Sequence, residues 1–114
     1  MKVLLTGRNG QIGSHLARLL PGFCDCWAVD QDDFDLSDTR DIFAALDGFS
    51  PDLIVNAAAY TNVDSAGKNR DLAFAMNANA PKVMAEWAAD NAASLVHYST
   101  DYVYDGSGDA PWVE

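Results

Sequence analysis

Residues 6–13 read Thr6-Gly7-Arg8-Asn9-Gly10-Gln11-Ile12-Gly13, a Gly-x-x-Gly-x-x-Gly loop set between the apolar run Val3-Leu4-Leu5 and the helix-like stretch His15 to Leu20. A glycine-rich turn from a strand into a helix can cradle a phosphate. Gly7 permits the tight turn, Gly10 lets the backbone approach a pyrophosphate, and Gly13 lets the helix pack close to the strand. The amides at the helix start then face the anion. Glycine spacing alone also fits a turn with no ligand. The context favours a dinucleotide: a strand before, a helix after, and an acid, Asp30, closing the next strand 17 residues beyond Gly13.

Working outward, short apolar runs alternate with helical stretches. Residues 2–6 predict a first strand. Gln11–Leu20 predict a helix ended by Pro21-Gly22. Cys24–Asp30 predict a second strand, and Ser37–Leu46 a helix with Ser37 as N-cap and Asp38 in its first turn. Asp52–Asn56 predict a third strand, whose Leu53-Ile54-Val55 run suits a strand covered on both faces. A helical region spans Arg70 to Asn91. Pro81 within it predicts a break or kink near 77–80, with Asn79 able to cap a fresh turn. Ser94–Tyr98 predict a fourth strand, and residues 105–114 a loop. This β-α-β-α-β-α-β series predicts an α/β chain, a Rossmann-like doubly wound parallel sheet with strand order 3-2-1-4. The whole of 1–114 reads as one NAD(P)-binding domain, expected to be incomplete, truncated after about four strands.

The bulk numbers agree. At 114 residues, 49% hydrophobic and 21% charged, the chain suits a single globular domain. Its net charge of −10 argues against nucleic acid, which wants a basic face. An anionic ligand must then be held by local amides and a few cations, against the overall field. No run approaches the ~18 apolar residues of a membrane span. Lys2 is followed at once by a strand rather than by a secretion signal, so the cytoplasm is the expected compartment. Cys24 and Cys26, two apart, are expected on one strand face as small, partly buried residues, with no second pair or His cluster to complete a zinc set.

Four places carry chemistry. Asp30 suits the adenosine ribose hydroxyls, which favours NADH, or is a surface acid. Arg8 could instead pair with a 2′-phosphate and admit NADPH, or is a solvated loop residue. Asp35-Leu36 would sit over the adenine, or Asp35 is a turn acid before the second helix. Asn56-Ala57-Ala58-Ala59 follows the third strand and borders the crevice; its alanines leave room for a cofactor, with Tyr60 and Thr61 able to reach its ribose and phosphates. His97-Tyr98-Ser99-Thr100-Asp101 ends the fourth strand, where Thr100 could hydrogen-bond a carbonyl and Asp101 a substrate hydroxyl. His97 reads as a packed residue.

Three stretches together resemble the dTDP-4-dehydrorhamnose reductases, a branch of the extended short-chain dehydrogenase/reductases: residues 6–13, residues 51–64 (Pro51 to Asp64) and residues 97–104 (His97 to Tyr104). The glycine loop is common to many relatives; Asn-Ala-Ala-Ala-Tyr-Thr-x-Val-Asp and Ser-Thr-Asp-Tyr-Val are far more specific. The resemblance runs over essentially all 114 residues. It implies reduction of dTDP-4-dehydro-L-rhamnose by NADPH or NADH to dTDP-L-rhamnose, a cell-envelope sugar donor. It implies that Gly10, Gln11 and Ile12 contact the pyrophosphate, and that Asp30, Asp35 and Leu36 surround the adenosine. Ala59, Tyr60, Thr61 and Tyr98 would line the rest of the cofactor site. Thr100 would be the catalytic hydroxyl, touching the sugar together with Asp101.

Two departures stand out. Gly67 lies where relatives commonly carry an acid. The family's Tyr-x-x-x-Lys pair is absent: four residues after Tyr60, Tyr98, Tyr102 and Tyr104 stand Asp64, Tyr102, Gly106 and Gly108. In the family that pair delivers and tunes the proton, help worth ~10²–10⁴-fold in rate, and it lies just past the position of residue 114. The chain alone is therefore expected to lack significant reductase activity. Its fourth strand is expected to offer an open edge for self-association or for a separately supplied second half. Two other readings are a piece of another sugar-nucleotide epimerase, dehydratase or reductase, and a non-catalytic nucleotide-binding regulatory module. The latter arises because the regulatory subunit of methionine adenosyltransferase resembles this branch.

Overall fold

Val3, Leu4 and Leu5 are wholly buried because β1 (Lys2–Thr6) is an inner strand, with a parallel neighbour on each side. A computed structural model describes residues 1–62, 67, 69–100, 105–111 and 113. Within them β1 pairs with β2 (Asp25–Val29) and β3 (Leu53–Asn56), and β3 pairs with β4 (Ser94–His97), all in parallel.

The sheet order is β2-β1-β3-β4, so the α/β doubly wound class holds but the expected order 3-2-1-4 does not. The third strand lies directly against β1 instead of beyond β2. Against β1, Ile54 and Val55 are buried from both faces. The acid-rich 30–38 segment that follows β2 is spent on turns. The Asp33 amide donates to the Asp30 carbonyl, the Asp38 amide to the Asp35 carbonyl, and the Ser37 amide to the Asp35 carboxylate.

Cross-strand register sorts the side chains into two layers, because successive residues of a strand point to opposite faces. Trp27, Leu4, Ile54 and Leu95 stand in one row. They pack with Ile42 and Leu46 of α2 (Thr39–Phe49) and Met84 and Trp87 of α4 (Ala80–Asp90). The neighbouring positions Val3, Leu5 and Val55 pack with Leu16 and Ala17 of α1 (Gln11–Leu19). Cys24 and Cys26 join this second layer, on one face as expected, although β2 starts one residue after Cys24. Both are free thiols, and burial, with Cys24 and Asp25 nearby, pushes the Cys26 thiol up. Each fully buried Leu or Ile is worth roughly 1.5–3 kcal/mol. The Trp87 indole N–H donates to Asp47 Oδ1 at 2.7 Å and ties α4 to α2.

Helix ends correct the sequence reading in three places. α1 stops at Leu19 and passes into a tight 3₁₀ turn, Leu20–Gly22, around Pro21. The cap of α2 is Asp38, not Ser37: the Asp38 side chain accepts from the Arg40 amide, whereas the Ser37 hydroxyl and amide both donate to Asp35 Oδ1. The break or kink expected near 77–80 takes the form of a widened π-type stretch, Ala75–Asn79, which joins α3 (Arg70–Phe74) to α4 with no break in the helix. Proline lacks an N–H, and its ring crowds the carbonyl four residues back, here that of Asn77. The wider turn absorbs this: the Ala80 amide reaches back five residues to Ala75, and Asn79 caps nothing.

Candidate dinucleotide-binding site

The carboxyl ends of the four strands gather the loops singled out from sequence, and the glycine loop is the hub. Gly7 adopts a left-handed φ of +75°, and a Cβ there would lie 2.7 Å from the Ala58 amide nitrogen and 2.8 Å from the Ala57 carbonyl. The loops after β1 and β3 thus touch backbone to backbone. A Cβ on Gly13 would fall 1.8 Å from the Gly7 carbonyl oxygen, so helix and turn close on one another only with glycine in that place. At Gly10 the nearest atom to an added Cβ is 3.3 Å away, again the Gly7 oxygen. That contact is tight but needs a shift of only a few tenths of an ångström, so the fold demands glycine less at position 10 than at 7 or 13.

Gly10 is also the N-cap of α1, with extended backbone and no side-chain cap. The first amides of a helix have no partner inside it. Here the Gly10 amide turns back to the Gly7 carbonyl, and the first helical bond is from Ser14 to Gly10. Gln11 and Ile12 are exposed, and an open groove of about 810 Å³ runs over Asn9, Gly10, Gln11, Ile12 and His15. An uncapped positive helix end above open space suits an anion.

Asp30 follows β2, and its carboxylate faces the glycine loop: Oδ2 accepts from the Asn9 amide at 2.9 Å and Oδ1 from the Gln31 amide at 2.8 Å. The Arg8 guanidinium meets Asp33 Oδ2 at 2.5 Å and the Ala28 carbonyl at 3.2 Å. Asp35 is the turn acid of the Ser37 loop. The Leu36 side chain is buried in the core between sheet and helices, which leaves only its backbone to face a ligand.

Beyond β3, Ala58 is half-buried while Ala59 and Thr61 are exposed. Tyr60 is fixed by Asn77 through both backbone groups: its amide donates to Asn77 Oδ1 at 2.8 Å, and Asn77 Nδ2 donates to its carbonyl at 3.1 Å. Asn77 lies in the widened stretch before Pro81. Such π-type turns are frequent at functional sites. Beneath the crevice, a polar chain joins three strands. The Thr6 hydroxyl donates to Asn56 Oδ1 at 2.6 Å, and Asn56 Nδ2 lies 3.1 Å from His97 Nδ1. Because Nδ2 is a donor, Nδ1 of His97 acts as the acceptor. Tyr98 and Thr100 are exposed at the end of β4. Asp101, like Tyr102 and Tyr104, lies outside the described residues. No group of three metal-binding side chains occurs among the described residues.

The structure thus brings the Gly7–Gly13 loop, Arg8, Asp30, Ala58–Thr61 and Tyr98–Thr100 to one edge of the sheet. Sequence reasoning missed Asn9, Asp33 and Asn77. Asp33 has a local signal, an acid three residues after Asp30 in a turn. Asn77 has none, since it meets Tyr60 across 17 residues only once the chain is folded.

The family described as RmlD substrate binding domain matches residues 1–114. The dTDP-4-dehydrorhamnose reductase of Salmonella typhimurium is 41% identical, over 100% of this chain and 40% of its own length. That of Burkholderia thailandensis is 40% identical, over 100% of this chain and 38% of its own. Among solved structures, a dTDP-4-dehydrorhamnose reductase from Clostridium acetobutylicum superposes with a TM-score of 0.91 at 35% identity, covering 98% of this chain and 40% of that one. The Bacillus anthracis enzyme, in complex with NADP, gives 0.84 at 36% identity, covering 94% and 39%. The chain therefore spans about two-fifths of the length of these relatives. The match from the first residue to the last places the chain in the RmlD substrate-binding-domain family.

Proposed function

We propose that the chain binds NADPH or NADH across the carboxyl ends of its strands and forms the cofactor part of a dTDP-4-dehydrorhamnose reductase. On this reading the reaction reduces dTDP-4-dehydro-L-rhamnose to dTDP-L-rhamnose in the cytoplasm, on the way to cell-envelope polysaccharide. The observation that carries the reading is the uncapped start of α1 at Gly10, which opens on a groove over Asn9, Gln11 and Ile12. Glycine there makes sense if something outside the chain approaches it. The NADP complex of a relative 36% identical supports the same choice of ligand.

In this reading the amides of Gln11, Ile12 and Gly13 hold the pyrophosphate. Asp30 keeps lone pairs for ribose hydroxyls even after its two amide bonds, since a carboxylate has about four acceptor positions. Ala58 and Ala59 leave space beside Tyr60, Thr61 and Tyr98. The bound nicotinamide supplies the hydride. Thr100 donates a hydrogen bond to the ketone oxygen, and Asp101 takes a sugar hydroxyl.

None of the four tyrosines is followed four residues later by Lys, which favours binding without turnover in this chain by itself. The test is a titration with NADPH and NADH followed by nicotinamide fluorescence, with turnover assayed on dTDP-4-dehydrorhamnose. Saturable binding, weakened by Gly10→Val and unaccompanied by cofactor consumption, is the expected result. Binding that ignores Gly10→Val removes the cradle reading. Turnover at the rate of a full-length relative removes the reading of binding without turnover.

A further inference from the structure

We propose that Asp33 sets the choice between NADPH and NADH by holding Arg8 in a closed ion pair. The inference rests on the reading of the site as a dinucleotide cradle and names a specificity determinant within it. In such folds the adenosine ribose lies by the end of the second strand, where an acid takes its hydroxyls or an Arg takes a 2′-phosphate. This chain has both at that spot, and a second acid decides between them.

The Arg8 amide donates to the Val29 carbonyl at 3.1 Å, which pins the residue to the end of β2. Its guanidinium spends Nη1 on the Ala28 carbonyl and on Asp33 Oδ2. The same Asp33 oxygen accepts from the Asp30 amide at 2.8 Å, so Asp33 is itself fixed and cannot swing away with the arginine. Asp30 keeps its carboxylate on the Asn9 and Gln31 amides. The corner therefore holds two carboxylates against one cation. The Arg8 and Asp33 side chains are 33% and 29% exposed, open enough for a ligand to reach them. Among the described residues, the other guanidinium N–H groups have no partner. A ribose hydroxyl can enter and donate to Asp30 at little cost. A 2′-phosphate must face both carboxylates and share an arginine that is already neutralised. Removing the charge at residue 33 leaves the arginine's own charge unneutralised, and its planar N–H fork then binds phosphate well.

The test measures the dissociation constants of NADPH and NADH for the chain, for Asp33→Asn, and for Asp33→Asn combined with Arg8→Ala. Asparagine keeps a carbonyl for the Asp30 amide, and Asp33→Ser serves the same purpose should the amide variant fail to fold. The expected result is a shift of the affinity ratio toward NADPH by roughly 1.5-fold to fivefold in the single variant, the scale of an exposed ion pair, with the shift abolished in the double variant. A ratio unchanged in a folded single variant that still binds NADH overturns the latch alone. So does a shift that survives loss of Arg8, which would make it a matter of net charge. Binding of neither nucleotide by the unmodified chain overturns the cradle, and the latch with it.

Discussion

Gly13 leaves no room for a methyl group, whereas Gly10 nearly does. At 1.8 Å from a backbone oxygen, a Cβ at position 13 cannot be relieved by turning a side chain, so helix and loop must part. Overpacking of this kind costs about 1–3 kcal/mol or more. Gly13→Ala is expected at or above the top of that range by urea denaturation, with cofactor binding lost as well. At position 10 the clearance is 3.3 Å and φ is −76°, ordinary for any residue. Gly10→Ala is therefore expected to cost far less stability than Gly13→Ala while binding cofactor more weakly. The opposite pattern, Gly10→Ala unstable and Gly13→Ala benign, would refute this assignment of roles. These glycine roles are readable from spacing because they depend on atoms a few residues away. The partners of Arg8 and Tyr60 were not, because each bond spans many residues.

At the scale of elements, the ends of the helices matter most. Asp38 caps α2, and its hydrogen bond from the Arg40 side chain, aided by the Arg40 amide, holds its carboxyl below the usual carboxylate range. A depressed folded-state pKa contributes stability above the unfolded value, near 3.9, and loses it as pH falls through the folded value. Asp38→Ala is accordingly expected to lower the melting temperature at pH 7, with the difference shrinking once pH drops below about 4. A difference that persists at pH 2 would mean the cap acts through shape rather than charge. The widened stretch before Pro81 yields a second expectation. Asn77→Ala removes two bonds to the Tyr60 backbone, each worth about 0.5–1.5 kcal/mol and, being exposed, toward the low end. Cofactor affinity should fall by more than stability does, because the loop after β3 loses its brace while the core keeps its packing. Equal losses in chemical denaturation and in nicotinamide fluorescence titration would make Asn77 merely structural.

For the whole molecule, the consequence is an open flank. Among the described residues nothing pairs with the outer edge of β4, and Val96, in the row of the well-buried Val55, is 44% exposed. An unpaired apolar edge is a template for another strand. Sedimentation velocity is expected to show association that grows with concentration and is suppressed by Val96→Lys. A monomer at all concentrations would count against the edge as an association surface.

Local spacing was enough for the strands, the helices and the glycine turn between β1 and α1. Hydrophobic period and glycine position are properties of neighbouring residues, and β1, α1 and β3 appear nearly where the pattern puts them. The order of the strands depended on packing: the third strand could lie beyond β2 or against the free side of β1, and it lies against β1, where Ile54 and Val55 are buried, while the acidic 30–38 segment closes into turns. The same holds for the Arg8–Asp33 pair, the Asn77 brace and the Thr6–Asn56–His97 chain. Their partners stand 17 to 50 residues apart, and only the folded chain brings such groups within bonding distance.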